Sequence, residues 1–173
     1  EGAFYEIIDR CAEVVREKGL PFFPEGEFIG EDFIENDGLT LDQPVKMKIT
    51  LRKYQEKMIL DFEGTAGQAK GPINWPLDGR HYSKWLGAFF KAQIPGIIIN
   101  EGVTEAFRCR IPKRTILSSE FPAPVVSRMT CMLRMISAYT VALAKAFDGE
   151  VVADMQNIQL YGLYGEDFEG KLF

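Results

Sequence analysis

Apolar residues recur at spacings of three and four through residues 3–18. Phe4, Ile7, Ile8, Cys11 and Val14/Val15 share one stripe, and Glu6, Asp9, Arg10, Glu13 and Glu17 lie off it. The spacing predicts an amphipathic helix closed by Gly19 and Pro21. Leu20-Pro21-Phe22-Phe23-Pro24 then reads as an apolar linker. From residue 26 to 63 the period drops to two. Phe28, Phe33 and Ile34 precede the turn signal Asn36-Asp37-Gly38. Val45, Met47, Ile49 and Leu51 alternate with Lys46, Lys48, Thr50 and Arg52, and Met58, Leu60 and Phe62 alternate likewise across Tyr54-Gln55-Glu56. This predicts an antiparallel hairpin.

Beyond it the period lengthens again. Asp78 is placed to cap a helix with Tyr82, Trp85, Leu86, Phe89 and Phe90 on one face, ended by Pro95-Gly96. So much aromatic mass on one face predicts a core contact with the sheet. Ile97-Ile98-Ile99 reads as a short buried strand or loop entry, and residues 106–111 alternate as another strand. A long helix is expected from about Val125 to Phe147, with Gly149 past its end. It looks apolar nearly all round, so it wants cover on more than one side, a partner surface included. The fold expected is α+β, an antiparallel sheet with a hairpin packed by two to three helices, one of them this long apolar helix. Residues 1–173 are expected to form one domain: helix and linker over 1–24, a core over 25–150 and a tail over 151–173.

Between hairpin and aromatic helix lies the glycine- and proline-rich stretch Phe62–Gly79. It reads as a shaped loop of the kind that carries function, or else as an ordinary surface connection. Gly64-Thr65-Ala66-Gly67-Gln68-Ala69-Lys70-Gly71 fails as a phosphate-binding loop. Ala69 stands where the second glycine belongs, and Gly71 where the magnesium-binding hydroxyl belongs. With one histidine, His81, and scattered cysteines, no cluster has metal-ligand spacing. His81 in the first helical turn reads as a neutral imidazole or a general base, with no partner carboxylate apparent. Lys70, Arg80 and Lys84, with the N–H groups of the helix start, form either an anion site or a solvated basic face. Asn74 and Asn100-Glu101 are polar among apolar neighbours, which suits pinning the loop's shape.

Composition narrows the classes. The chain has 173 residues, 46% hydrophobic and 26% charged, and a net charge of −5. That suits one globular domain and argues against a nucleic-acid partner. Arg134 and several hydroxyls in the last helix argue against a membrane span. Cys11, Cys109 and Cys131 are far apart and odd in number, which predicts buried free thiols in a reducing, cytoplasmic setting. The start at Glu1-Gly2, without an initiator methionine, is expected of a processed chain or a piece of a longer one.

Several segments, in order, carry a resemblance. Asp61-Phe62-Glu63-Gly64-Thr65 with Gln68 and Gly71-Pro72-Ile73-Asn74, then Ile99-Asn100-Glu101-Gly102, then Phe121-Pro122-Ala123-Pro124-Val125 resemble signatures of the hydantoinase B/oxoprolinase superfamily. Within it the chain looks most like the large subunit of ATP-dependent acetone and acetophenone carboxylases. It departs from the pattern at Ala66, at Trp75-Pro76 and at Ser118-Ser119-Glu120.

The resemblance implies part of a multi-subunit, hetero-oligomeric ketone carboxylase, inactive alone, working with a hydantoinase A-type ATP-binding subunit on a small-molecule substrate. No cofactor is expected in this chain. ATP would sit on the sister subunit, and any divalent metal elsewhere in the complex. Asn74, Arg80 and His81 are the candidate catalytic residues, and Gly71, Asn100, Glu101 and Gly102 the candidate substrate-binding ones. The rival expectations are ATP-dependent opening of a hydantoin, 5-oxoproline or lactam ring, and a non-catalytic assembly domain.

Overall fold

A computed structural model describes residues 2–151 and 165–171. Helix α1 (Gly2–Val14) runs on through a wide π-helical turn, Val15–Gly19, and a tight 3₁₀ turn, Leu20–Phe22. Strands β1 (Gly26–Ile34), β2 (Val45–Tyr54) and β3 (Lys57–Asp61) follow. After the long loop come helix α2 (Gly79–Gln93), the single turn α3 (Gly102–Glu105), strand β4 (Phe107–Arg110) and helix α4 (Arg128–Ala146).

The sheet runs β1-β2-β3-β4. The expected hairpin is present, β2 against β3 with Leu51 opposite Leu60, and β1 pairs antiparallel to β2 with Gly30 opposite Ile49. The sheet is not antiparallel throughout, however. β4 runs parallel to β3, with Leu60 beside Cys109. A tight turn reverses a chain, whereas a crossover through a helix returns it in the same direction, and α2 lies between β3 and β4.

One face of the sheet holds the core. Met47, Ile49, Leu51 and Leu60 are fully buried there. Gly30 of β1 allows α4 to lie against it, since a Cβ at that position would stand 1.8 Å from the Ala138 carbonyl oxygen. The aromatic face of α2 is the core contact expected: Tyr82 packs on Phe62 with ring centroids 5.0 Å apart, and Phe90 stacks on Phe107 at 5.6 Å. Buried phenols tie the layers together. Tyr139 of α4 donates to the Tyr82 carbonyl at 2.8 Å, and Tyr82 donates to the Leu117 carbonyl at 2.8 Å.

Other expectations are corrected or sharpened. The long helix expected to be apolar nearly all round finds no support: α4 is amphipathic, with Arg134 paired to Asp32 at 3.1 Å and Lys145 bonded to the Ile29 carbonyl at 2.7 Å. No helix among the described residues is long and apolar enough to cross a membrane. The stripe on α1 is covered only at its C-terminal end, where Cys11 and Val15 are buried, while Phe4 and Ile7 are exposed. The apolar linker belongs to the core, with Leu20 and Phe23 buried. Of the two readings of Ile97-Ile98-Ile99 the loop entry holds: the segment forms no strand, and Ile97 alone of the three is buried. The tail expected over 151–173 lies outside the described residues except for Val151 and residues 165–171.

Candidate functional site

The glycine-rich loop does not wander into solvent. Past Asp61 the chain bulges out at Gly64, whose φ of +89° is one that L side chains rarely adopt. It then rejoins the sheet. Thr65 Oγ1 accepts from Lys48 N at 3.1 Å and donates to Lys48 O at 3.0 Å, and Ala66 N donates to Lys46 O at 2.9 Å. Next it interlaces with residues 114–117, a segment the sequence reading left without a role. Gln68 N donates to Arg114 O, Ile116 N to Ala66 O, and Trp75 N to Ile116 O, at 2.8–3.0 Å. Ile116 and Leu117 are fully buried, and the Ile-Leu pair between hydroxyl residues was the available signal.

Asn74 is the hub of this braid. It is wholly buried, and its amide is spent on backbone. Oδ1 accepts from Ala69 N at 2.8 Å, while Nδ2 reaches the carbonyls of Ala69 at 2.9 Å, Gly71 at 3.1 Å and Pro124 at 2.9 Å. Three carbonyls around one end fix which way the amide points. Side by side with it, Gly71 meets the 36–40 turn. Gly71 N donates to Asp37 Oδ2 at 3.0 Å, and a Cβ on Gly71 would stand 1.6 Å from the Asp37 carbonyl oxygen. Close backbone approach, not a turn, is why glycine stands there.

Asp37 is itself nearly buried and also accepts from Leu39 N and Thr40 N. Hydrogen bonds from the backbone, that of Thr40 foremost, hold its carboxyl down at about 2. The N–H groups that a phosphate would need are thus engaged: Ala66, Gln68, Ala69 and Gly71 all donate within the protein.

Arg80 and His81 open α2 on the surface. Asp78 caps the helix, its Oδ1 accepting from Arg80 N at 3.0 Å and His81 N at 3.2 Å. A carboxylate therefore sits where an anion was expected. The same Oδ1 lies 2.8 Å from His81 Nδ1, so the imidazole has the partner that sequence reading did not identify. The hydrogen bond from His81 is the main cause holding the Asp78 carboxyl below its ordinary value. Spacing i, i+3 from a cap residue was the signal. One turn on, Lys84 pairs with Glu101.

Asn100 and Gly102 lie under α1. Asn100 Oδ1 accepts from Gly102 N at 2.8 Å, and Nδ2 donates to Ile7 O at 3.2 Å. Gly102 packs against the helix so closely that a Cβ would stand 2.1 Å from Ile8 O. The seven candidate residues thus occupy three places: Gly71 with Asn74 at the braid, Arg80 with His81 at the start of α2, and Asn100 to Gly102 under α1. The Lys84–Glu101 pair links the second place to the third.

Chemistry within these places is limited. Among the described residues no group of three or more His, Cys, Asp or Glu could hold a metal ion. Burial pushes the Cys109 thiol up to about 12 and the Cys131 thiol higher still, so both stay protonated at neutral pH and make poor nucleophiles. Two apolar grooves lie along the helices. One, of about 610 Å³, lies between α2 and α4, lined by Trp85, Phe89, Ile136, Tyr139 and Leu143. The other, of about 460 Å³, lies between α1 and residues 94–98.

The family model for hydantoinase B/oxoprolinase matches residues 1–170. No curated protein matches significantly by sequence. Among solved structures, the chain is similar to the ATP-dependent caprolactamase from Pseudomonas jessenii, with TM-score 0.67 and 24% identity over 82% of this chain. It is also similar to an acetone carboxylase in its nucleotide-free form, described as carrying out ATP-dependent acetone carboxylation, with TM-score 0.63 and 18% identity over 80% of this chain. At such identities the likeness is one of fold. This chain spans 24% and 20% of those two chains.

Proposed function

The chain belongs to the hydantoinase B/oxoprolinase family, and from that premise we propose that it is a positioning unit of a cytoplasmic, multi-subunit, ATP-dependent ketone carboxylase. The Asn74 hub carries the positioning role, and the family match and the likeness to an acetone carboxylase support the reaction. An amide whose every polar atom is spent on backbone shapes a wall and touches no substrate. Gly71 and Gly102 act alike, by letting backbones meet. The surface start of α2, with Asp78, Arg80 and His81, is the place where this chain offers polar groups to a reacting molecule held by other polypeptide. ATP would be bound by a hydantoinase A-type partner, and any divalent metal would be held outside the described residues of this chain.

A second reading, ATP-dependent opening of a lactam or other cyclic amide, is favoured by the likeness to the caprolactamase. The experiment that separates them is co-purification of the native complex, followed by ATP-consumption assays against acetone and acetophenone with bicarbonate, and against caprolactam, hydantoin and 5-oxoproline. Ketone- and bicarbonate-dependent ATP consumption supports the carboxylase. Turnover of cyclic amides alone overturns it in favour of the second reading, and a complex that consumes ATP with neither class overturns both.

A further inference from the structure

Independently of that reading, two surface features of this chain fit each other. The first is the groove between α1 and residues 94–98. Ile7, Val14, Ile94, Ile97 and Ile98 give it an apolar floor, with Ile98 70% exposed, and Arg10 and Lys18 stand at its rim. Its lining contains no carboxylate; the acids of α1, Glu6, Asp9, Glu13 and Glu17, are not among the lining residues. Lys91 adds a third cation close by, bonded to the Ile97 carbonyl at 2.7 Å. The two rim cations, Arg10 of α1 and Lys18 of the π-helical turn that continues it, are eight residues apart along one helical stretch.

The second feature is the segment Gly165–Lys171. Asp167 Oδ1 accepts from Glu169 N and Lys171 N, each at 2.9 Å, and Gly170 N closes the turn onto Asp167 O at 2.9 Å. This turn presents Phe168 wholly to solvent, with Glu166, Asp167 and Glu169 beside it in the sequence and Lys171 closing the turn. A single apolar ring fenced by acids is the chemical complement of an apolar floor fenced by cations.

We propose that Phe168 of one copy of this chain docks in the α1/94–98 groove of a second copy, with its flanking carboxylates meeting Arg10 and Lys18. The contact joins two different patches, which a twofold pair makes twice, residue i on j and j on i, and which a head-to-tail arrangement repeats. It is small, which places it among weak, concentration-dependent interfaces. The preformed turn lowers the ordering cost of binding.

Sedimentation velocity of the full chain across a concentration series tests it. The wild type is expected to shift from monomer toward larger species as concentration rises, with the shift suppressed by salt. Phe168→Ala should weaken association at least about tenfold, as loss of an anchor residue does. The pair Arg10→Glu/Lys18→Glu should weaken it comparably, and mixing that variant with Glu166→Lys/Glu169→Lys should restore association between the two. Circular dichroism confirms that each variant is folded. A wild type that stays monomeric throughout, the result expected if the turn docks within its own copy, overturns the proposal, and so does association that Phe168→Ala leaves unchanged. Failure of the charge-swapped pair to associate overturns it too. Loss of association on Phe89→Ala but not Phe168→Ala would assign the contact to the α2/α4 groove instead.

Discussion

The side-chain amide of Asn74 donates to the carbonyl of Pro124 at 2.9 Å, across 50 residues of sequence. That bond ties the braided loop to the approach of α4, and Ser127 N reinforces it by donating to Pro72 O at 2.8 Å. Removing the amide strands one N–H and several carbonyls in a dry interior. Asn74→Ala is therefore expected to cost about 3 kcal/mol, from two or so unmade buried hydrogen bonds. Asn74→Asp should cost more, because a carboxylate would face three carbonyl oxygens. Urea denaturation measures both, and a wild-type midpoint for either variant refutes the hub.

Gly102→Ala is expected to loosen α1 selectively. The added methyl would stand 2.1 Å from Ile8 O, which backbone cannot yield without the helix moving. Hydrogen exchange should quicken in Gly2–Val14 while β2 and β3 keep their protection. Gly71→Ala, at 1.6 Å from Asp37 O, should instead loosen the 36–40 turn and the braid.

Asp37 should give the protein an acid-sensitive element. Its folded carboxyl lies near 2, below an ordinary value of 3.8, so the unfolded chain binds the proton more readily. The stabilisation is complete above about pH 4 and fades as pH falls toward 2. Asp37→Asn should accordingly lower the melting temperature at pH 7, and its deficit should shrink through that window. A deficit constant from pH 7 to pH 2 would show that the charge is irrelevant.

Asp78 has two duties that substitution can divide. Asp78→Ala loses the cap and is expected to destabilise by about 1 kcal/mol, whereas Asp78→Ser keeps an acceptor for Arg80 N and His81 N. The serine variant removes the carboxylate beside His81 Nδ1. In the assembled complex, activity lost in Asp78→Ser and in His81→Ala, with thermal stability retained, is the outcome expected if the start of α2 meets substrate. Full activity in both would confine Asp78 to capping.

Tyr139→Phe should cost about 1 kcal/mol by removing the buried phenol's bond to the Tyr82 carbonyl. Near-ultraviolet circular dichroism should report the change through Tyr82 and the neighbouring Trp75, whose rings lie 5.5 Å apart.

Periodicity alone determined the hairpin, the aromatic face of α2, its Asp78 cap and the Asn36-Asp37-Gly38 turn, because each depends on residues a few positions apart. Ordered motifs carried the family, since the residues that resemble it are spaced along one chain. Tertiary structure alone decided the parallel pairing of β4, the partnership of the loop with residues 114–117, and the bond from Asn74 to Pro124. Each of those relations ends on a backbone group, which every residue carries alike, so no side-chain pattern announces the partner. The same reason separates the glycines: at Gly71 and Gly102 the requirement is an absent Cβ facing a distant carbonyl, and only the packed chain supplies that neighbour.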